Sequence, residues 1–392
     1  MKHKQPASSI QYPATSNQHS AKRIVAGCMT GTSIDGLDIA LVEIEGHGLD
    51  IRCSVKRCIS KPLGDLSKRL RLITQRMPIT AKEIAQVAHG LSILHLDALK
   101  ELIDGEKIDL VSVHGQTVYH APPLSLQMIN PTPIAIGLNV PVVSDLRAAD
   151  IAHGGQGAPI TPIADFLLYR SDTETQCIVN LGGFCNLTLL QKCPEEMPKN
   201  IEPVLSKIKG QDVCACNQIL DTLARKLFKI PFDVDGLLSS KGSIKPEPFE
   251  HLESHLKDQA ARGSSGSSLG TGDELISGWI KQFSDKYSSE DLVRSASAAI
   301  ASTVVFKCES ADRIILAGGG VKNKTLVAEI TKRSDIANIQ VELSDEKGIP
   351  STHREAVAMS VLGALCQDRV PITLRQVTGA SSTSISGVWV LP

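Results

Sequence analysis

RIVAGCMTGTSIDGLDIALVEIEG, residues 23–46, joins an apolar strand, a Gly-, Thr- and Ser-rich turn carrying two carboxylates, and a second apolar strand. Gly31 and Gly36 have access to backbone conformations closed to other residues, so main-chain N–H groups are expected to converge on an anion there. Thr30, Thr32 and Ser33 add hydroxyl donors. Asp35 and Asp38 repel a phosphate, so a divalent cation or ordered water is expected between carboxylate and phosphate, which implies magnesium. The Gly-Lys-Ser/Thr ending of a Walker loop is absent. An ordinary hairpin with a polar turn also accounts for these residues.

Moving outward, the second half of the chain restarts the theme. Gln176 to Leu181 is a strand-like run broken at Asn180-Leu181-Gly182-Gly183 and resumed at Asn186 to Leu190. Two such hairpins, one opening each half, predict a duplicated α/β architecture. A third glycine cluster, Gly318-Gly319-Gly320, follows the strand-like Arg313 to Ala317 and precedes a helical pattern from Lys324 to Lys332, an arrangement that admits a nucleotide. In the first half, a strand at Ile51 to Ile59 leads to helices at Leu63 to Thr74 and Ala81 to Ile103. The strand Ile108 to Val113 ends in His114-Gly115-Gln116-Thr117, polar residues at the strand end where open sheets bind ligands. Arg147 and Asp150 flank Gly154, Gly155 and Gly157, either as an ion pair or as substrate contacts, and a helix is predicted over Pro162 to Tyr169.

With 392 residues the chain has room for two lobes. Its 41 basic and 42 acidic residues nearly balance and no basic stretch interleaves aromatics, which argues against a nucleic-acid surface and for a small-molecule partner. No apolar run approaches the length of a membrane span. Residues Met1 to Ala21 are polar and free of acids, and read as a disordered tail or a targeting segment. The ten cysteines fall in strand-like segments without metal or redox spacing, so buried reduced thiols and a cytoplasmic protein are expected. The Gly/Ser-rich stretch Arg262 to Gly272 reads as a lid or a flexible surface loop.

Taken in order, GCMTGTSIDGLDIALV, SVHGQTVYHAP, VVSDLRAADIAHGGQGAPITP, VNLGGFCNLT, DVCACNQILD with FDVDG, LAGGGVKN and HREAVAMSVLGAL with VTGA resemble the anhydro-N-acetylmuramic acid kinase family. This family is a branch of the actin, hexokinase and Hsp70 ATPase superfamily. The resemblance implies two ribonuclease-H-like lobes around an ATP and magnesium cleft, with 22–145 as the first lobe and 146–392 as the second, the last residues returning to the first. It implies an amino-sugar substrate whose 1,6-anhydro bridge is opened by water while O6 is phosphorylated, a step of peptidoglycan recycling; a homodimer stays open. Carried over by position, Gly31, Thr32, Ser33, Ile34, Asp35, Gly36, Leu37 and Asp38 form the ATP phosphate hairpin, with Asp35 and Asp38 meeting the metal directly or through water. Asn180, Gly182 and Gly183 form the second phosphate element, and Gly318, Gly319, Gly320 and Asn323 lie by the adenosine. His114, Gln116, Arg147 and Glu355 face the sugar or the cleft. Asp212 takes the place of the catalytic base.

Three departures from the family pattern stand out. Asp212-Val213-Cys214-Ala215-Cys216-Asn217 replaces the usual Asp-Thr-Gly-Pro-Gly-Asn, Leu146 replaces a Phe, and RGSSGSSLGTGDEL lacks the usual proline and lysine. Were the two replaced glycines to need positive φ, each cysteine would cost about 1–2 kcal/mol. A related kinase with another sugar acceptor, or a non-catalytic ATP- or sugar-binding regulator, fits the altered loop as well. From the residues alone Asp212 reads as the cap of a helix through Asn217, Leu220 and Leu223, and only the resemblance makes it the base.

Overall fold

The computed structural model describes residues 22–31, 33–194, 196, 198, 200–262 and 273–392. The N-terminal tail, Thr32 and nearly all of the Arg262 to Gly272 stretch lie outside the described residues.

Thirteen strands form among them: β1 Arg23–Thr30, β2 Gly36–Glu45, β3 Arg52–Pro62, β4 Leu110–Val113, β5 Gln116–Ala121, β6 Leu124–Met128, β7 Val142–Ser144, β8 Gln176–Leu181, β9 Phe184–Leu190, β10 Lys209–Ala215, β11 Arg313–Ala317, β12 Gln340–Leu343 and β13 Val388–Val390. They build one sheet in the order β13-β7-β4-β1-β2-β3, a second in the order β12-β11-β8-β9-β10, and the small β5–β6 hairpin. Each large sheet contains a three-stranded antiparallel meander extended by two parallel strands on the side of its first strand, and β13 adds an antiparallel edge to the first sheet. The duplication suggested by the two glycine-broken hairpins is therefore a duplication of topology. The architecture is α/β with two ribonuclease-H-like halves.

Burial patterns explain the layering. β1, β4 and β8 are apolar along nearly their whole length, as strands covered on both faces must be. One outer layer, including the helices Asp65–Thr74 and Ala81–Ile103, covers the first sheet through Leu70, Leu91 and Leu99. The longer of these helices starts with a capping box between Thr80 and Glu83. A second outer layer, including Pro246–Arg262, Ser289–Lys307 and Lys324–Ile336, covers the other sheet. Between the sheets lies a central core built on the helices Pro162–Tyr169 and Arg354–Gln367. Arg354–Gln367 packs on β1, β2 and β4, and β13 pairs antiparallel with β7, so both belong by packing to the first sheet.

Gly27 makes this packing possible. A Cβ there would meet the Ala356 carbonyl at 2.1 Å and the Ser360 amide at 2.4 Å. Gly27→Ala is expected to push the central helix from β1 and cost about 1–3 kcal/mol; a urea midpoint equal to wild type would refute the close-packing account.

All ten cysteines are free thiols, eight of them buried. Among the described residues no helix is long and apolar enough to cross a membrane.

Candidate active site

The turn between β1 and β2 closes with an Ile34 N–H donated to the Gly31 carbonyl at 3.2 Å, and Ser33 Oγ donates to Asp35 at 2.7 Å. Its left-handed residue is not a glycine. Ile34 holds φ 55°, whereas Gly31 and Gly36 lie outside the positive-φ region, which corrects the expectation that those two glycines supply the special backbone. A β-branched residue there stores about 1–3 kcal/mol, and the burial of Ile34 in the first outer core holds it in place. Leu37 is likewise a core side chain, so neither side chain is available to a ligand. Asp38 accepts from Ser60 Oγ at 2.6 Å, and Ser60 in turn meets His353 Nε2 at 3.0 Å. Burial raises the Asp38 carboxyl above the usual range, while Ser60, His353 and Lys322 oppose the shift.

Gln116 is buried at the start of β5 and donates to the Gly31 carbonyl at 3.2 Å, tying the polar block after β4 to the β1–β2 turn. His114 does not face the cleft freely. Its Nδ1 donates to the Gly115 carbonyl at 2.8 Å, which leaves the Nε2 lone pair for Arg147 Nε at 3.0 Å and Nη2 at 2.8 Å. Burial first and Arg147 second push the His114 imidazole down to about 3, so it is neutral and orients the guanidinium. Arg147 Nη1 donates to the Gly157 carbonyl. Asp150 forms no ion pair with Arg147 among the described residues; it accepts from the Gly157 amide at 2.8 Å and Thr378 Oγ1 at 2.7 Å, fixing the glycine loop that holds Arg147. Burial lowers the guanidinium to about 10 against Glu355, Asp212 and Asp150, which all favour its charge.

Asp212 lies in β10 opposite Asn186 of β9, next to a bulge, and the helix Asn217–Leu223 begins five residues later. This removes the helix-cap reading. Cys216 has φ −123° and neither it nor Cys214 is left-handed, so the two cysteines continue the strand and its exit without the strain considered above. Glu355 sits in the first turn of the central helix, its carboxyl raised chiefly by burial and lowered by Arg354 and Arg147. Two carboxylates, one from each sheet's side, thus act electrostatically on Arg147.

On the second sheet, the loop at Gly182 and Gly183 accepts with its carbonyls from the first amides of Asn217–Leu223, at 3.1 Å for Asn217 and 2.9 Å for Cys216. Asn180 is buried with its Oδ1 unpartnered among the described residues, and Gly318, at φ 89°, passes so close that a Cβ would stand 2.6 Å from that atom. Gly319 and Gly320 open the following turn, and Asn323 caps Lys324–Ile336 by accepting from the Leu326 amide at 3.0 Å. Two groups escaped the sequence reading. Lys322 acts electrostatically on Asp38, and Asp35 on Asp221, whose carboxyl is pushed up to about 6 by burial first, with Arg225 lowering it and Asp35 raising it. Asp221 follows Asn217 by one helical turn, which is the signal that would have placed it on the same face.

Two histidines carry a pH consequence. Burial holds His95 at about 4 and His114 at about 3, below the ordinary 6.5. The folded state therefore binds fewer protons than the unfolded one, so their stabilisation is complete above about pH 6.5 and is lost as the pH falls toward 4. Urea midpoints are expected to fall over that window and to fall less steeply in His95→Leu; equal slopes would contradict the assignment.

The sequence model of the anhydro-N-acetylmuramic acid kinase family matches residues 23–391. Anhydro-N-acetylmuramic acid kinase of one Bacillus cereus strain is 29% identical over 94% of this chain and 99% of its own. That of Bacillus thuringiensis subsp. konkukian is 27% identical over 94% and 99%. Among solved structures, (R)-2-hydroxyglutaryl-CoA dehydratase component A of Acidaminococcus fermentans covers 87% of this chain and 98% of its own, with 11% identity and a TM-score of 0.43. With a match running from β1 to the last strand, the chain belongs to the anhydro-N-acetylmuramic acid kinase family.

Proposed function

We propose that the cleft performs the family's coupled reaction, with the residues of this chain in the following roles. Family membership carries the ATP-dependent sugar kinase activity. The guanidinium of Arg147, fixed by His114 and the Gly157 carbonyl and in the field of both Asp212 and Glu355, is the observation that supports the assignment of roles. Asp212 takes the proton of a water whose oxygen bonds to the anomeric carbon of 1,6-anhydro-N-acetylmuramic acid. The C1–O6 bond breaks, its electrons stay on O6, and O6 bonds to the γ-phosphorus of ATP as the bond to ADP breaks. The products are N-acetylmuramic acid 6-phosphate and ADP, and the proton leaves Asp212 to solvent. Arg147 and Glu355 hold the sugar, with His114 fixing Arg147 and Gln116 coupling that side to the phosphate turn. The lobe 22–145, with the last residues that return to it, and the lobe formed by the rest of 146–392 close over the substrates and exclude water that would otherwise hydrolyse ATP.

The amides of the Gly31 to Asp38 turn, with Ser33, receive the phosphates from one side, and Asn180 with the Gly182-Gly183 loop from the other. Gly318, Gly319, Gly320 and Asn323 lie by the adenosine, and Lys322 offsets the charge of Asp38. The described residues contain no cluster of three metal-binding side chains. Hard carboxylates at Asp35 and Asp38 fit magnesium that takes its remaining ligands from phosphate and water. When bound, that ion neutralises charge on the transferring group. The protein is read as cytoplasmic.

ADP release with magnesium-ATP tests the acceptor. Release is expected with the anhydro sugar and not with N-acetylmuramic acid, N-acetylglucosamine or glucose. Release with another sugar alone would transfer the reading to a related kinase, the alternative that the cysteines of 214 and 216 motivate.

A further inference from the structure

Behind the cleft, the central core carries a charged pair that the reaction does not use. Arg354, in the first turn of Arg354–Gln367, is 1% exposed, and Asp165, on Pro162–Tyr169, is 0% exposed. Arg354 Nη2 donates to Asp165 Oδ2. The same oxygen accepts from Thr188 Oγ1 at 2.6 Å. Thr188 lies on β9, opposite Gly210 and two residues from Asn186, the partner of Asp212. One carboxylate oxygen therefore joins the helix packed on the first sheet to the strand pair of the second sheet that carries Asp212. Glu355 follows Arg354 directly.

Packing alone does not call for this arrangement. A buried ion pair adds little net stability over apolar side chains of similar volume. Here it also leaves Arg354 Nε and Nη1 and Asp165 Oδ1 buried without a partner among the described residues. Such a network is costly as a packing element and specific as a positioning one, because only one placement of the two helices joins the fork, the carboxylate and the threonine.

We infer that Arg354, through Asp165 and Thr188, is a positioning residue that sets Glu355 relative to Asp212 across the two sheets. The inference rests on the cleft reading given above for the roles of those two carboxylates. Misplacement of a reacting group by about 1 Å costs on the order of 10²-fold in rate. Binding of ATP, held by loops at the sheet ends, does not pass through this contact.

The test uses the full chain with Arg354→Met and Asp165→Leu combined, since either alone leaves a buried charge and risks unfolding. The double variant is expected to keep the wild-type thermal midpoint and ATP KM, and to lose about 10²-fold in kcat for sugar-dependent ADP release. Arg354→Lys, which retains one donor to Asp165, is expected to recover most of that loss. A double variant with wild-type kcat overturns the inference. Backbone amide exchange on the same variant needs no turnover and separates this inference from the acceptor assignment. Faster exchange confined to the first turn of Arg354–Gln367 and to β9 and β10 upholds the strut whatever the sugar, and wild-type exchange there overturns it.

Discussion

Asp212→Asn is expected to lower sugar-dependent turnover by about 10²–10⁴-fold while ATP binding stays at wild-type strength. The amide keeps the shape of the side chain and its place on β10 but cannot take a proton from water. Asp212 is half-buried in a strand, opposite Asn186, and sits among the charges that act on Arg147. Folding should be little affected, because the strand is held by its ladder to β9 and by the second outer core. Steady-state ADP release and nucleotide titration by calorimetry check the two halves of this expectation. Turnover within a few-fold of wild type would remove Asp212 from the reaction.

Arg147→Lys should be nearly as damaging, on the order of 10²–10³-fold in kcat/KM for the sugar. The charge is kept, but a single ammonium cannot reproduce a fork that donates to His114 Nε2 from two nitrogens and to the Gly157 carbonyl from the third. Asp150 and Thr378 fix Gly157 independently of Arg147, so the loop should persist in the variant. The loss should therefore appear with the sugar and leave the ATP KM unchanged. Equal loss toward both substrates would place Arg147 in general folding rather than at the sugar.

Much of the fold can be read from residues 23–46 and 176–190, because strand, glycine-broken turn and strand repeat in both halves and each pattern is local. The helices Ala81–Ile103 and Pro162–Tyr169 run where the sequence pattern puts them, the first behind the capping box of Thr80 and Glu83. Other features depend on tertiary contacts. The left-handed residue of the β1–β2 turn is Ile34, which no propensity would select and only the surrounding core enforces. Asp212 resembles a helix cap in the sequence, and its strand is defined by pairing with β9. Lys322 lacks a local signature and Asp221 offers only its spacing of one helical turn from Asn217, since the carboxylates they act on, Asp38 and Asp35, are far away in the chain. Asp165 and Arg354 are 189 residues apart, and no local pattern announces the carboxylate oxygen that joins them to Thr188.

The coupled chemistry is tested most directly by a single turnover in ¹⁸O-enriched water with ATP and 1,6-anhydro-N-acetylmuramic acid, read by mass before the anomeric oxygen exchanges. The sugar phosphate is expected to carry one heavy oxygen on the sugar and none on its phosphoryl group, with one ADP formed per labelled sugar. Heavy oxygen in inorganic phosphate, or an unlabelled sugar product, would contradict attack of water at the anomeric carbon coupled to transfer onto O6.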